Sequence, residues 1–263
     1  MANILERTHT FLQLPSREIK PRYQGMSILI DNGIATQHFI DVVGSHSEFI
    51  DFVKFGWCTS LITKDLDRKI EFLSNNGIKF YFGGTLFEKA LQQRKLDSLY
   101  TYFKKWRCRY VEISNGTINL NNKEKAKYIS EFSKEFTVFS EVGYKDQEKS
   151  QELAPEKWIE FILEDLEAGA VKVITEARES GRSGICSGDG NIKCDLIQTI
   201  SNSGISSKNL IFEAPNKLLQ VYFIKQFGAN VNLANISFDD VIGLETLRLG
   251  LRSDTLDCFE DVI

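Results

Sequence analysis

Several things are scarce in this sequence, and each scarcity excludes something. The 263 residues include only 3 histidines. These are His9, His38 and His46, all in the first fifth of the chain and outside any metal-ligand spacing. Histidine acid–base chemistry is therefore not expected, and a proton donor has to be Lys, Glu, Asp, Tyr or Cys. The 5 cysteines (Cys58, Cys108, Cys186, Cys194, Cys258) are odd in number, scattered and free of any CxxC pair. That reads as a reduced, cytoplasmic chain with free thiols. No apolar run approaches the roughly 18–20 residues of a membrane span. The opening MANILERTHTFLQLPSREIKPR has no apolar h-region, so no secretory leader is expected. Positive charge is not in excess: the net charge is −4. This argues against a nucleic-acid partner but leaves room for a small anion held by a few converging cations. GxGxxG, Walker and GxSxG loops are missing.

What is present is alternation. Short β-branched or aromatic runs occur at Ser27–Asp31, Ile50–Lys54, Lys79–Phe82, Tyr110–Ile113, Phe136–Glu141, Val171–Glu176, Leu210–Glu213 and Val231–Leu233. Near-continuous apolar runs suit parallel strands covered on both faces. Helical patterns fill the gaps. After Pro155, Trp158, Ile159, Ile162, Leu163 and Leu166 share a stripe that ends at Gly169. Residues 64–75 and 216–227 repeat the pattern, and Ser237 with Asp240 resembles a capping box opening a last helix. Eight β/α units without a composition break predict an α/β fold, a single (β/α)8 TIM barrel over residues 26–263. Residues 1–25 are expected to be an N-terminal extension across the barrel bottom or an early helix. A doubly wound open sheet is the alternative, and the missing phosphate-loop glycines stand against it.

The strand ends carry charge. Asp31 ends the first run and Lys54 the second; Glu112, Glu141, Glu176 and Glu213 lie at or near the ends of the fourth to seventh, and Asn232 and Asn235 flank the eighth. A parallel barrel gathers these ends at one mouth. A single such Glu is ordinary, but four carboxylates brought together repel, and burial without partners costs several kcal/mol each. Lys54, Lys145, Arg178 and Lys217 lie at the same ends, and a hard cation such as Mg²⁺ would complete the balance. Glu176 and Arg178 are two apart, so on an extended segment they would face one side and could grip an anionic ligand, or simply pair with each other. Gly83 and Gly84 permit a turn whose N–H groups could approach an oxyanion, or merely lead a strand into a helix.

The motifs FIDFVKFGWCTS, GGTLFEKALQQ, VEISNGTI, SEVGYKD, DLEAGAVKVITEARESG, IFEAP with KLLQVYFIKQFG, and NVNLANIS followed by DVIGLETLRLGLRSDT follow one another from about Gly25 to Thr255. In this order they resemble the phosphosulfolactate synthase family. The resemblance implies a (β/α)8 barrel that adds sulfite to phosphoenolpyruvate with Mg²⁺, giving (2R)-O-phospho-3-sulfolactate. It implies Glu112 and Glu141 as metal ligands, with Glu176 or Glu213 next. Lys54 or Lys145 would be the proton donor, with Lys54 preferred because a rigid, partly desolvated ammonium protonates from one face. Glu176 is grouped with these lysines as catalytic. Asp31, Arg178, Glu213, Lys217, Asn232 and Asn235 are the expected substrate-binding residues. The expected partners are these small anions alone, with no nucleic acid and no membrane, in a cytoplasmic homo-oligomer.

The chain departs from the family pattern in places. Asn32 stands where a Lys is usual, Asn115 where an Asp is, Cys58 and Ala234 where Gly is, Phe82 where Pro is and Tyr144 where Lys is. Two other readings therefore stand beside the first. One is a related barrel enzyme with another nucleophile or enol-phosphate acceptor. The other is a non-catalytic barrel acting through protein contacts, since heat-stress-associated plant proteins share the family.

Overall fold

The structure, a computed structural model, describes residues 11–178 and 180–259. Its strands are β1 (Ser27–Asp31), β2 (Phe52–Phe55), β3 (Lys79–Phe82), β4 (Tyr110–Ile113), β5 (Thr137–Val142), β6 (Lys172–Thr175), β7 (Leu210–Glu213) and β8 (Leu233–Ile236). Every ladder is parallel, in the order β3-β2-β1-β8-β7-β6-β5-β4. β3 and β4 stand at the two ends of that order. They lie side by side without a ladder between them among the described residues. The result is a nearly closed barrel, a single (β/α)8 fold.

The surrounding helices are α1 (Thr36–His46), α2 (Leu66–Asn75), α3 (Thr85–Gln92), α4 (Leu96–Lys105), α5 (Asn122–Phe132), α6 (Gln147–Glu152), α7 (Pro155–Glu167), α8 (Cys194–Asn202), α9 (Lys217–Phe227) and α10 (Val241–Arg248). Pro155 opens α7 at its first turn, and Trp158 and Ile162 of the expected stripe are buried. Asn216 caps α9 by accepting from Leu219 N. The full capping box belongs to Asn121 and Glu124 on α5. Ser237 instead accepts from Asp239 N in a short 3-10 turn ahead of α10.

The barrel interior is layered. Phe52, Tyr81, Tyr110 and Phe139 point inward and pack with ring centroids 4.8–6.2 Å apart. Two residues further along β2, β4 and β5, on the same face of each strand, come Lys54, Glu112 and Glu141. An aromatic floor therefore lies directly under a charged ceiling.

β8 begins two residues later than the sequence pattern suggested. Asn232 consequently sits before the strand, at the end opposite the mouth. Its Oδ1 accepts from Met26 N and its Nδ2 donates to Leu210 O. Residues 11–26 cross this lower end without helix or strand. Arg17 bonds Glu245 and the carbonyls of Ala229 and Gly25, and Arg22 grips Asp51. The first ten residues of the expected extension, with His9, lie outside the described residues. Among the described residues no helix is long and apolar enough to cross a membrane.

Candidate active site

Lys54 reaches up from β2 into the mouth and places Nζ 3.0 Å from Glu112, 3.3 Å from Glu213 and 3.5 Å from Glu141. Glu141 also lies 3.3 Å from Lys145, whose Nζ is 3.5 Å from Glu176 and 3.4 Å from Thr85 Oγ1. Two ammonium groups and four carboxylates thus interleave around a cavity of about 380 Å³. Lys54, Glu112, Lys145, Glu176, Arg178, Glu213 and Asn235 all line it, with Trp57 and Thr85.

Backbone groups set the carboxylates. Glu112 accepts from Gly84 N at 2.5 Å, Glu213 from Ala177 N at 3.0 Å and Glu176 from Arg178 N at 2.5 Å. The Gly83-Gly84 turn therefore meets an oxyanion, but one supplied by the protein itself. A Cβ at Gly84 would sit 2.3 Å from Ser114 Oγ and 3.0 Å from Glu112 Oε1, so the close approach requires glycine. Arg178 does not continue an extended segment. Its φ of 58° turns the chain, and its Nη1 reaches Lys145 O at 3.3 Å. Asn235 has the same left-handed φ, at an irregularity in the pairing of β8 with β1. Its Oδ1 is buried without a hydrogen-bond partner. Ordered strands re-aim side chains into sites by such irregularities.

Burial dominates the protonation states. By itself it would lower Lys54, but Glu112, Glu213 and Glu141 outweigh it and hold the ammonium well above its ordinary range. Burial pushes Glu112 up to about 7, with Lys54 pulling the other way. Glu141 is driven down despite burial, because Lys145 and Lys54 flank it. Glu176 is pushed well up by burial and by Glu213 and Glu141. The adjacent pair is thus pushed in opposite directions, Glu176 up and Glu141 down. Lys145 is raised by Glu141 and Glu176 against its own burial.

Three expected site residues stand elsewhere. Asp31 is fully buried outside the cavity lining; Gly33 N and Ile34 N donate to its Oδ1, and Lys69 of α2 holds its Oδ2 at 2.6 Å. Lys217 opens α9 on the surface and pairs with Asp254 at 3.0 Å. Asn232 lies at the barrel bottom, as described. Glu141 bridges the two lysines and does not itself line the cavity. No sequence pattern singles out Lys69, Trp57, Thr85 or Tyr81. Tyr81 was legible only as one more aromatic in a strand, and Lys69 only as a charge inside an amphipathic helix.

A barrel with a deep, charged cavity at the carboxyl ends of its strands is the layout of a barrel enzyme acting on a small anion. Residues 15–254 match the family model described as (2R)-phospho-3-sulfolactate synthase (ComA). The chain is an enzyme of that family. The phosphosulfolactate synthase of Bacillus subtilis (strain 168) is 57% identical over 244 residues, covering 93% of this chain and 97% of that protein. The phosphosulfolactate synthase of Methanocaldococcus jannaschii is 41% identical over 236 residues, covering 88% and 94%. Among solved structures, a putative deoxyribose-phosphate aldolase from Coccidioides immitis superposes with TM-score 0.53 at 13% identity, covering 87% of this chain and 88% of that one. A phosphonopyruvate hydrolase complexed with oxalate and Mg²⁺ gives TM-score 0.53 at 9% identity, covering 83% and 78%. At these identities the likeness concerns the fold alone.

Proposed function

We propose that this enzyme adds sulfite to phosphoenolpyruvate, forming the carbon–sulfur bond of (2R)-O-phospho-3-sulfolactate, and that it uses Mg²⁺. The observation that carries the reading is the cavity lining. Lys54, Glu112, Lys145, Glu176, Arg178 and Glu213 converge on one space.

The donor set fits Mg²⁺. Glu112 Oε2, Glu141 Oε1 and Glu176 Oε2 are buried oxygens that meet the lysines at ion-pair distance without an aligned hydrogen bond. Among the described residues no three or more His, Cys, Asp or Glu side chains surround one metal position. Mg²⁺ is usually held by one or two carboxylates, waters and substrate oxygens. Glu112, with Glu176 or Glu213, would hold it; Glu141, for which the resemblance implies a ligand role, would act by setting both lysines. When bound, Mg²⁺ would offset the charge that builds on the substrate carboxylate as sulfite adds to C3.

C2 must then receive a proton from one face. Lys54 is committed to three carboxylates and holds the array together. Lys145, with its side chain 28% exposed against 8% for Lys54, can draw its next proton from water. This supports Lys145 as the donor, reversing the preference drawn from rigidity. Arg178 and Asn235 bind the anionic groups. Asn32, Cys58, Asn115 and Ala234 do not line the cavity. Asn115 ties its Nδ2 to Leu120 O at 2.8 Å. The departures from the family pattern thus give no support to a different substrate.

Purified protein given phosphoenolpyruvate, sulfite and Mg²⁺ should yield phosphosulfolactate by mass spectrometry, and a chelator should abolish it. Absence of that product with every component present would sink the reading. Lys145→Arg should lose roughly 10²-fold or more in kcat with KM little changed, the scale of general acid catalysis, because Arg does not give up its proton. We further take the enzyme to be a cytoplasmic homo-oligomer with no nucleic-acid or membrane partner. The segment that crosses the lower end exposes Phe11, Ile19 and Tyr23, which we take as the face for self-association, and sedimentation would test it.

A further inference from the structure

Behind the cavity wall, on the helix side of β5, lies a buried charge pair that this chemistry does not use. Lys125 of α5 and Asp165 of α7 are both fully buried, with Nζ 2.7 Å from Oδ2. The same ammonium donates to the backbone carbonyl of Glu141 at 2.9 Å. Asn122 donates Nδ2 to Asp165 Oδ1 at 3.1 Å and to Glu164 at 2.8 Å, so the aspartate is itself held from a second side.

Adhesion does not account for the pair. Ile129, Phe132, Trp158 and Ile162 of the same two helices are already buried there. Two desolvated charges are costly, and an apolar pair of similar volume is often neutral or more stable. What an apolar pair cannot supply is a donor aimed at one carbonyl. That carbonyl sits where the β4 side of the sheet stops offering support. The β4–β5 register ends at Ile113 opposite Ser140, one residue short of Glu141. Just beyond it the chain turns at Gly143 (φ 125°) and delivers Lys145, whose backbone N bonds Gly116 O at 3.1 Å. The Glu141 carboxylate and the Lys145 ammonium both hang from this strand end, which β6 holds on one side through Val142 and Thr175 and, among the described residues, no ladder holds on the other.

We infer that Lys125 is a positioning residue. Anchored on Asp165, it fixes the Glu141 carbonyl from outside the barrel and thereby the placement of the Glu141 carboxylate and Lys145 ammonium within it. It touches neither substrate nor reacting atoms. The inference rests on the proposed reading for its link to turnover.

The test replaces both charges at once, as Lys125→Met with Asp165→Leu, so that no lone charge stays buried. If that protein does not fold, Lys125→Met with Asp165→Asn retains the polar contact to Asn122 and takes its place. The folded variant should keep its Tm within a few degrees and its KM for phosphoenolpyruvate. Its kcat should fall about 10- to 100-fold, the scale on which contacts supporting site groups act. Unchanged kcat overturns the inference, since a purely structural pair would move only Tm. If the wild-type protein does not turn over these substrates, the reading of function fails instead. The positional claim is then decided by NMR on ¹³Cε-lysine protein, with Lys145 assigned through Lys145→Arg. A shifted Lys145 signal in the double variant supports the inference, and an unmoved one overturns it.

Discussion

Glu112 is a carboxyl whose ordinary value of 4.5 has been pushed up to about 7 by burial, even with Lys54 beside it. A carboxyl raised in the folded state contributes stability that is present below about 4.5 and is lost as pH rises through about 7. Glu112→Gln stays neutral throughout. Its Tm relative to wild type should therefore climb by roughly 3–6 °C between about pH 5 and pH 8, seen in melts across that range. If Glu112 holds Mg²⁺ as proposed, it must be deprotonated to do so, and Mg²⁺ affinity measured by calorimetric titration should strengthen through about pH 7 in the wild type. Glu112→Gln should flatten that dependence. Cys58 poses a different problem for one residue. It sits at φ 56°, next to Trp57 at φ 51°, in a region that favours glycine. The left-handed conformation costs an L-residue roughly 1–2 kcal/mol, and glycine gives back about half in chain entropy. Cys58→Gly should raise Tm by roughly 1–4 °C by differential scanning.

At the scale of elements, the turn after β5 tolerates little. A Cβ at Gly143 would lie 2.7 Å from both Trp158 Cη2 and Glu176 Cβ, at a φ of 125°. Gly143→Ala should cost roughly 1–3 kcal/mol, visible as a lowered urea midpoint, and should displace Lys145 enough to remove most turnover. Nothing in the glycine itself announced this, because the clash comes from residues 15 and 33 positions away in sequence. The same asymmetry explains what could be read beforehand. β1, β3, β4 and β7 were legible to the residue, since strands buried on both faces write unbroken apolar runs. β8 was not, because the asparagines that flank its start and lie within it serve opposite ends of the barrel: Asn232, ahead of the strand, bonds backbone groups below, and Asn235, inside it, lines the cavity above. The charged strand ends located the mouth correctly. Which charges face the cavity was beyond sequence reading. Asp31 ends its strand and Glu112 lies one residue from the end of its own, yet Lys69 comes from the helix layer to one and Lys54 from inside the barrel to the other.

Across the whole molecule, the two ends of the barrel do different jobs. The lower end is fastened by cations that serve backbone carbonyls. Arg248, fully buried, donates to Ala229 O and Val231 O at 2.7 Å and to Met26 O at 3.1 Å. Arg248→Ala takes a donor from three carbonyls at once and should cost roughly 3 kcal/mol or more, lowering Tm by about 6–12 °C. Turnover measured well below that melting point should be unchanged, because stability and chemistry occupy opposite faces of such barrels. The upper end has one weak line, the gap between β3 and β4. There the bond from Gly84 N at the end of β3 to Glu112 on β4 runs from one side of the gap to the other. Any cation or substrate that claims Glu112 competes with that fastening. Occupancy of the cavity should therefore be recorded in the wall itself: the Gly84 amide should exchange its hydrogen slowly while Glu112 accepts it and faster once a ligand claims that carboxylate.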